Sequence, residues 1–174
     1  MDHLWSPWRL HYVTAEKPSA GCIFCKPGTD TKAGDGRDPL IVFTGPLAYV
    51  ILNRYPYNNG HLMVVPHRHL STLIELSVDE LHEVASLTQR AEAVLREAYK
   101  LEGINVGVNL GAAAGAGIQG HLHVHLVPRW YGDTNFMTVV GETRVLPEDL
   151  PSTASRLAPI FERLATDASP SPRP

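Results

Sequence analysis

Several things are scarce in this chain, and each scarcity removes a class of protein. Lys and Arg number 15 against 18 Asp and Glu, for a net charge of −3. No basic stripe of the kind that follows a nucleic-acid backbone can come from that balance, so no nucleic-acid polymer is expected as a partner. A pocket for one small anion remains compatible with it. Long apolar runs are missing too. None approaches the ~18 residues of a membrane span, and no charged start leads into an apolar signal region. The expectation is a soluble cytoplasmic protein with no membrane partner. Internal repeats are absent. With 174 residues, 44% of them hydrophobic, there is enough chain for one domain with a real core.

Against those absences stands one dense stretch, His121-Leu122-His123-Val124-His125-Leu126-Val127-Pro128-Arg129. Apolar residues alternate with imidazoles, the period of a strand with one buried face. The spacing therefore predicts His121, His123 and His125 on one side of that strand. Three imidazoles in a row do not serve core packing, because burial leaves each ring nitrogen in need of a partner. The row is a metal site or a catalytic one. At about 3.3 Å per residue its outer members stand roughly 13 Å apart, whereas a metal–imidazole bond spans only about 2.0–2.1 Å. One ion can hold two neighbours of the row but hardly all three, so at least one histidine does something else.

Directly upstream lies Gly111-Ala112-Ala113-Ala114-Gly115-Ala116-Gly117-Ile118-Gln119-Gly120. A loop of such small residues lets backbone N–H groups approach a ligand closely. Running straight into the histidines, it suggests N–H groups cradling a phosphate while an imidazole attacks it. The only cysteines, Cys22 and Cys25, form a C-x-x-C pair: a redox couple, half of a zinc site, or two bystanders. Nothing around them supplies the thioredoxin-like context of a redox motif. A zinc site needs two more ligands, commonly histidines. His69 and His121 are the candidates, with His67 competing for the place of His69.

The rest of the chain reads as scaffold. Apolar runs at 40–44, 47–53 and 61–66, broken by Gly45-Pro46 and by Tyr57-Asn58-Asn59-Gly60, predict an antiparallel meander. Taken alone, Asn53 is a strand-end cap and His61 a satisfied strand histidine. Ser77-Val78-Asp79-Glu80 has the form of a capping box. Leu81, Val84, Ala85, Thr88, Ala91, Val94, Leu95 and Ala98 follow at helical spacing to about Lys100, as a core stripe. A strand over 104–110, closed by Asn109, leads to the glycine-rich loop. Residues 1–20 form an arm whose Trp5, Trp8 and Tyr12 pack onto the domain or offer a shelf to a purine base. Residues 26–39 are an exposed loop. Beyond Phe136 come a short apolar stretch at 137–140, a loop at 147–152, and a helix around 153–166 within a C-terminal segment 151–168. Pro159 should start or kink that helix, and 169–174 is a disordered Ser/Pro tail.

The H-x-H-x-H row with two apolar residues after it resembles the histidine-triad superfamily of nucleotide hydrolases and transferases. The extension Pro128-Arg129-Trp130-Tyr131-Gly132-Asp133-Thr134-Asn135-Phe136 narrows the likeness. Together with Trp5-Ser6-Pro7-Trp8-Arg9 and Cys22-Ile23-Phe24-Cys25, it resembles the diadenosine tetraphosphate phosphorylase and hydrolase branch, over roughly residues 4–150.

That resemblance implies an α+β fold: a histidine-triad domain at 21–150 with a five-stranded antiparallel sheet and two helices. It also implies a homodimer whose sheets join. It makes His123, the middle histidine, the nucleophile, with its Nδ1–H held by the backbone carbonyl of His121. It places Asn53 on the ribose, and His61 and Asn109 beside the phosphates. His125 and His61 would bind or protonate phosphate oxygens, and N–H groups around Gly117 and Ile118 would complete the anion pocket. For the cofactor it implies a structural zinc ion on Cys22, Cys25, His69 and His121, the last also a member of the catalytic row. Magnesium would arrive with the substrate. The expected reaction is nucleotidyl transfer from diadenosine tetraphosphate or a similar dinucleoside polyphosphate, to water or phosphate, through a nucleotidyl-histidine. Nucleoside phosphoramidates and adenylyl sulfate are alternative substrates. A zinc metallohydrolase and a nucleotide-binding regulatory module without turnover are the competing classes.

Overall fold

Runs of β-branched and aromatic residues bounded by turn residues make the first three strands: β1 (Ile41–Thr44), β2 (Ala48–Leu52) and β3 (Leu62–Pro66). Helix α1 (Val78–Ala98), strands β4 (Gly103–Val108) and β5 (Val124–Arg129), and helix α2 (Leu150–Asp167) follow. The structure, a computed structural model, describes residues 21–25, 38–133 and 146–167. The arm with Trp5, Trp8 and Tyr12, the stretch 137–140, the end of the motif at Thr134-Asn135-Phe136 and the tail at 169–174 lie outside the described residues.

The five strands form one antiparallel sheet in the order β1-β2-β3-β5-β4. This is the expected α+β arrangement of a five-stranded antiparallel sheet with two helices. Register decides what each face carries, because residues paired across neighbouring strands point the same way. Ile51 pairs with Met63, Met63 with His125, and His125 with Gly107. The alternate set, Val50, Val64 and Val124 with Leu52, Leu62 and Leu126, is buried. That second set lies under α1: the side chains of Leu95, from α1, and Pro128, on the same face as Leu126, both stand close against Gly60. Both faces of β2 and β3 are buried, and His125 shares its face with the buried Ile51 and Met63.

α1 begins as its capping box predicts. Ser77 Oγ accepts the Glu80 N–H at 3.2 Å, and Glu80 Oε2 accepts the Ser77 N–H at 2.8 Å. Its buried stripe is Val84, Leu87, Ala91, Val94 and Leu95. Two expected members are corrected: Leu81 is 50% exposed and Ala85 is exposed, while Leu87 belongs inside. The reason is Glu80, which takes the inward position of the first turn to meet Arg68.

α2 starts earlier than the expected loop at 147–152 allows. Asp149 Oδ1 accepts the Ser152 N–H at 2.7 Å and its carbonyl accepts the Thr153 N–H at 3.0 Å, so Asp149 is the cap. Pro159 lies inside the helix and not at its start. α2 packs on α1 and β1, with Phe161 stacked on Phe43 at 5.7 Å, and so shares the single core.

The third correction bears on the site. β5 begins at Val124, so His121 and His123 precede the strand and only His125 stands in the ladder. Continuing the β3–β5 register would set Pro66 opposite Leu122. Pro66 has no N–H with which to extend a ladder. Its carbonyl takes a histidine ring instead.

Among the described residues no helix is long and apolar enough to cross a membrane.

Candidate active site

His121 donates its Nε2–H to the Pro66 carbonyl at 2.9 Å. A carbonyl can only accept, so the proton sits on Nε2 and the Nδ1 lone pair is left for other partners. Those partners are thiols. Cys22 Sγ lies 3.3 Å from His121 Nδ1, and Cys25 Sγ lies 3.5 Å from it and 3.2 Å from His69 Nδ1. The ligand atoms of Cys22, Cys25, His69 and His121 all fall within 4.8 Å of one another, a group able to hold a metal ion. Two sulfurs and two imidazole nitrogens make a closed donor set of the structural kind. His67 is excluded from it: its ring donates to the Gly45 carbonyl at 3.0 Å and stacks on Tyr49.

Two residues on, the same stretch of backbone orients a second ring. His123 Nδ1–H donates to the His121 carbonyl at 2.8 Å, which puts the ring's lone pair on Nε2. Burial pushes the His123 pKa down, against a smaller opposing effect of that hydrogen bond. The ring is therefore neutral near pH 7 and able to act as a nucleophile.

His125 and His61 complete the cluster. The His125 ring centroid is 4.8 Å from that of His123 and 5.1 Å from that of His61. His61, fully buried at the entry to β3, accepts the Tyr57 backbone N–H on Nδ1 at 3.1 Å. Its proton must then sit on Nε2, which lies 2.9 Å from His125 Nδ1. His125 in turn carries its proton on Nε2. Burial first, and His123 second, bring the His125 pKa down to about 4, so this ring is a neutral donor near pH 7.

The other expected residues fall nearby. Asn53 sets Nδ2 3.4 Å from His61 Nδ1, and its Oδ1 accepts the Tyr55 N–H at 2.9 Å. Asn109 follows β4 and lines, with His125, Tyr57, Asn105, Gly107 and Arg129, a cleft of about 400 Å³. In the glycine-rich loop, positive φ at Gly111 and Gly115 brackets a single 3₁₀ turn at Ala112–Ala114. Its internal hydrogen bonds use the N–H groups of Ala114, Gly115 and Ala116, not those of Gly117 and Ile118. Ile118 packs its side chain against the core.

Three contributors escaped the sequence reading. Tyr57 both fixes the His61 tautomer and lies against that ring, centroids 4.9 Å apart and tilted by 30°. Asp133 receives the Arg129 fork at 2.6 and 2.9 Å together with Asn58 Nδ2 at 2.9 Å, closing the turn after β5. Phe24, inside the C-x-x-C turn, is buried against both His121 and His123. In the sequence Tyr57 reads only as part of a turn, and Asp133 and Phe24 only as parts of motifs that carry the resemblance, with no role in the site.

Fold and site together define a protein with a cluster of oriented imidazoles, one of which, His125, lines a polar cleft. The family model of the HIT domain matches residues 37–131, and the chain belongs to that family. It is 40% identical over 167 residues to the "AP-4-A phosphorylase" of Mycobacterium tuberculosis, covering 94% of this chain and 86% of that one. To the "Bis(5'-adenosyl)-triphosphatase" of Dictyostelium discoideum it is 29% identical, over 72% of this chain and 88% of that one. Among solved structures, a hypothetical histidine triad nucleotide-binding protein from Sulfolobus tokodaii superposes with a TM-score of 0.66 at 26% identity. That match covers 84% of this chain and 96% of the other.

Proposed function

We propose that this chain is an enzyme that cleaves dinucleoside polyphosphates, with diadenosine tetraphosphate as the substrate and inorganic phosphate as the acceptor. The observation that carries the reading is the pair of fixed tautomers: a lone pair on His123 Nε2 and a proton on His125 Nε2, in rings whose centroids are 4.8 Å apart. A regulatory module without turnover has no need of that complementarity. The printed name of the 40% identical relative supports the choice of substrate and acceptor.

In this mechanism His123 Nε2 forms an N–P bond to the terminal phosphorus next to one adenosine, and the P–O bond to the remaining polyphosphate breaks. ATP leaves, with its new terminal oxygen met by the His125 Nε2–H. Phosphate then attacks the nucleotidyl-histidine, the N–P bond breaks, and ADP is released. Asn53 takes the ribose hydroxyls, His61 holds the tautomer of His125, and Asn109 with the N–H groups of Gly117 and Ile118 receives phosphate oxygens. Magnesium accompanies the substrate's phosphates.

At the Cys22, Cys25, His69 and His121 cluster we propose zinc, on the chemistry of the donor set. When bound, it would tie the C-x-x-C turn to the start of the triad. Thiols kept available as ligands fit a reducing compartment, which supports a cytoplasmic location. We also read the protein as a homodimer joined through β4. That strand stands last in the sheet order and exposes 51% of Val106.

The test is a product analysis of diadenosine tetraphosphate incubated with and without phosphate. ADP plus ATP, formed only with phosphate, is the expected result. AMP plus ATP regardless of phosphate would make the acceptor water. No cleavage at all would reject the enzyme reading.

A further inference from the structure

The turn that carries the two cysteines also carries the wall of the nucleophile. Phe24 lies between Cys22 and Cys25 on a turn closed by the Cys25 N–H on the Cys22 carbonyl at 3.2 Å. It is 5% exposed. Its ring centroid is 5.1 Å from that of His123, tilted by 45°, and 5.5 Å from that of His121, edge-on at 73°. The Phe24 backbone is fixed in its turn, since its carbonyl accepts the Tyr49 hydroxyl at 2.8 Å from inside β2. Tyr49 is itself 2% exposed.

One hydrogen bond does not fix an imidazole. The bond from His123 Nδ1 to the His121 carbonyl anchors one ring atom, and the ring can still rock about it. Rocking swings Nε2, on the far side of the ring, through the arc where the phosphorus must arrive. Two groups stop that motion: the His125 ring on one contact, at 4.8 Å and 74°, and Phe24 on the other.

We propose that Phe24 is a positioning residue of the transfer reaction. It sets the tilt of the His123 ring, and because it sits between two thiols of the metal-holding cluster it ties that tilt to the geometry of the cluster. The inference rests on His123 being the nucleophile. A flat, rigid side chain suits the task, since it blocks the rocking motion with only two torsions of its own. A flexible aliphatic chain fills the same volume without defining a plane.

The test uses the metal-loaded full chain, with diadenosine tetraphosphate and phosphate as substrates. Phe24→Leu keeps an apolar filler and removes the ring, whereas Phe24→Tyr keeps the ring. Should the Leu variant fail to fold, Phe24→Met takes its place. In the Leu variant kcat should fall by about 10- to 100-fold with KM within about twofold, the pattern of a misaligned reacting group. The Tyr variant should restore most of the kcat. Metal content should stay equal to wild type in both. As a readout apart from turnover, exchange of the His123 Nδ1–H with solvent, followed by NMR, should be faster in the Leu variant. A wild-type kcat in the Leu variant would reduce Phe24 to a filler and overturn the proposal. So would a loss of kcat that merely tracks loss of metal. His123→Ala serves as the reference: turnover surviving in it overturns the nucleophile reading and this inference together. An inactive His123→Ala beside a fully active Phe24→Leu overturns this inference alone.

Discussion

His61 Nε2 stands 2.9 Å from His125 Nδ1, and that contact decides which nitrogen of His125 faces the cleft with a proton. The order runs from a backbone N–H on Tyr57 through two rings. Replacing the buried His61 by Phe keeps a flat ring and removes the donor. We expect kcat to fall by about 10- to 100-fold, the scale of a misplaced reacting group, with KM nearly unchanged. Nitrogen-15 NMR of the imidazoles should show His125 as a mixture of tautomers in the variant. A single Nε2–H tautomer there would remove His61 from this role.

His123→Ala should lower turnover by at least ~10³-fold, since no other lone pair stands in its place. Folding and metal content should remain, because the metal group is Cys22, Cys25, His69 and His121. Elemental analysis and circular dichroism beside the assay check both halves. A variant that is inactive because it has lost metal would argue against separate duties for the two histidines.

Acid should destabilise the fold through His125. Its folded pKa is about 4, lowered mainly by burial, against about 6.5 in the unfolded chain. Between those values the unfolded chain holds more protons, so stability rises with pH and is lost as pH falls through the window. The urea midpoint should drop between pH 7 and pH 5, and His125→Phe should show a shallower drop. Equal slopes for the two proteins would mean that other groups carry the effect.

Much of this was readable because it is local. Ser77 and Glu80 lie three residues apart, as a capping box demands, and the meander of β1, β2 and β3 is punctuated by its own turns. The imidazole row was visible for the same reason. What stayed hidden depends on partners far along the chain. The missing N–H of Pro66 stops β5 at Val124 from across the sheet. Glu80 turns inward, and Leu81 outward, because Arg68 waits there. Phe24 meets His123 only after ninety-odd residues of intervening chain have folded, and no periodicity marks such a contact. Asp149 is a different lesson: an Asp before Leu-Pro-Ser is a local cap signal that was passed over.

Arg68 precedes His69, a member of the group able to hold a metal ion. Its guanidinium forks onto Glu80 at 2.8 and 2.6 Å, and that contact above all holds the Glu80 pKa down to about 2. The pair pins the turn bearing His69 to the start of α1. Arg68→Ala should weaken metal retention by about 10-fold, as loss of an orienting partner does, read from the chelator concentration that strips half the metal. In the parent protein, chelation should lower melting temperature and activity in parallel. Activity vanishing while the melting temperature holds would favour a metal-bound water as the attacking group.

The alternation of His125 and Leu126 on β5 has a consequence for how errors in folding are expressed. A slip of one residue in the pairing with β3 would carry Leu126 into the cleft and press an imidazole under α1. The faulty molecule would lose its chemistry and its cohesion in the same event. Slipped molecules of the unsubstituted chain should therefore not melt with the native ones, and a single sharp unfolding transition speaks against their presence.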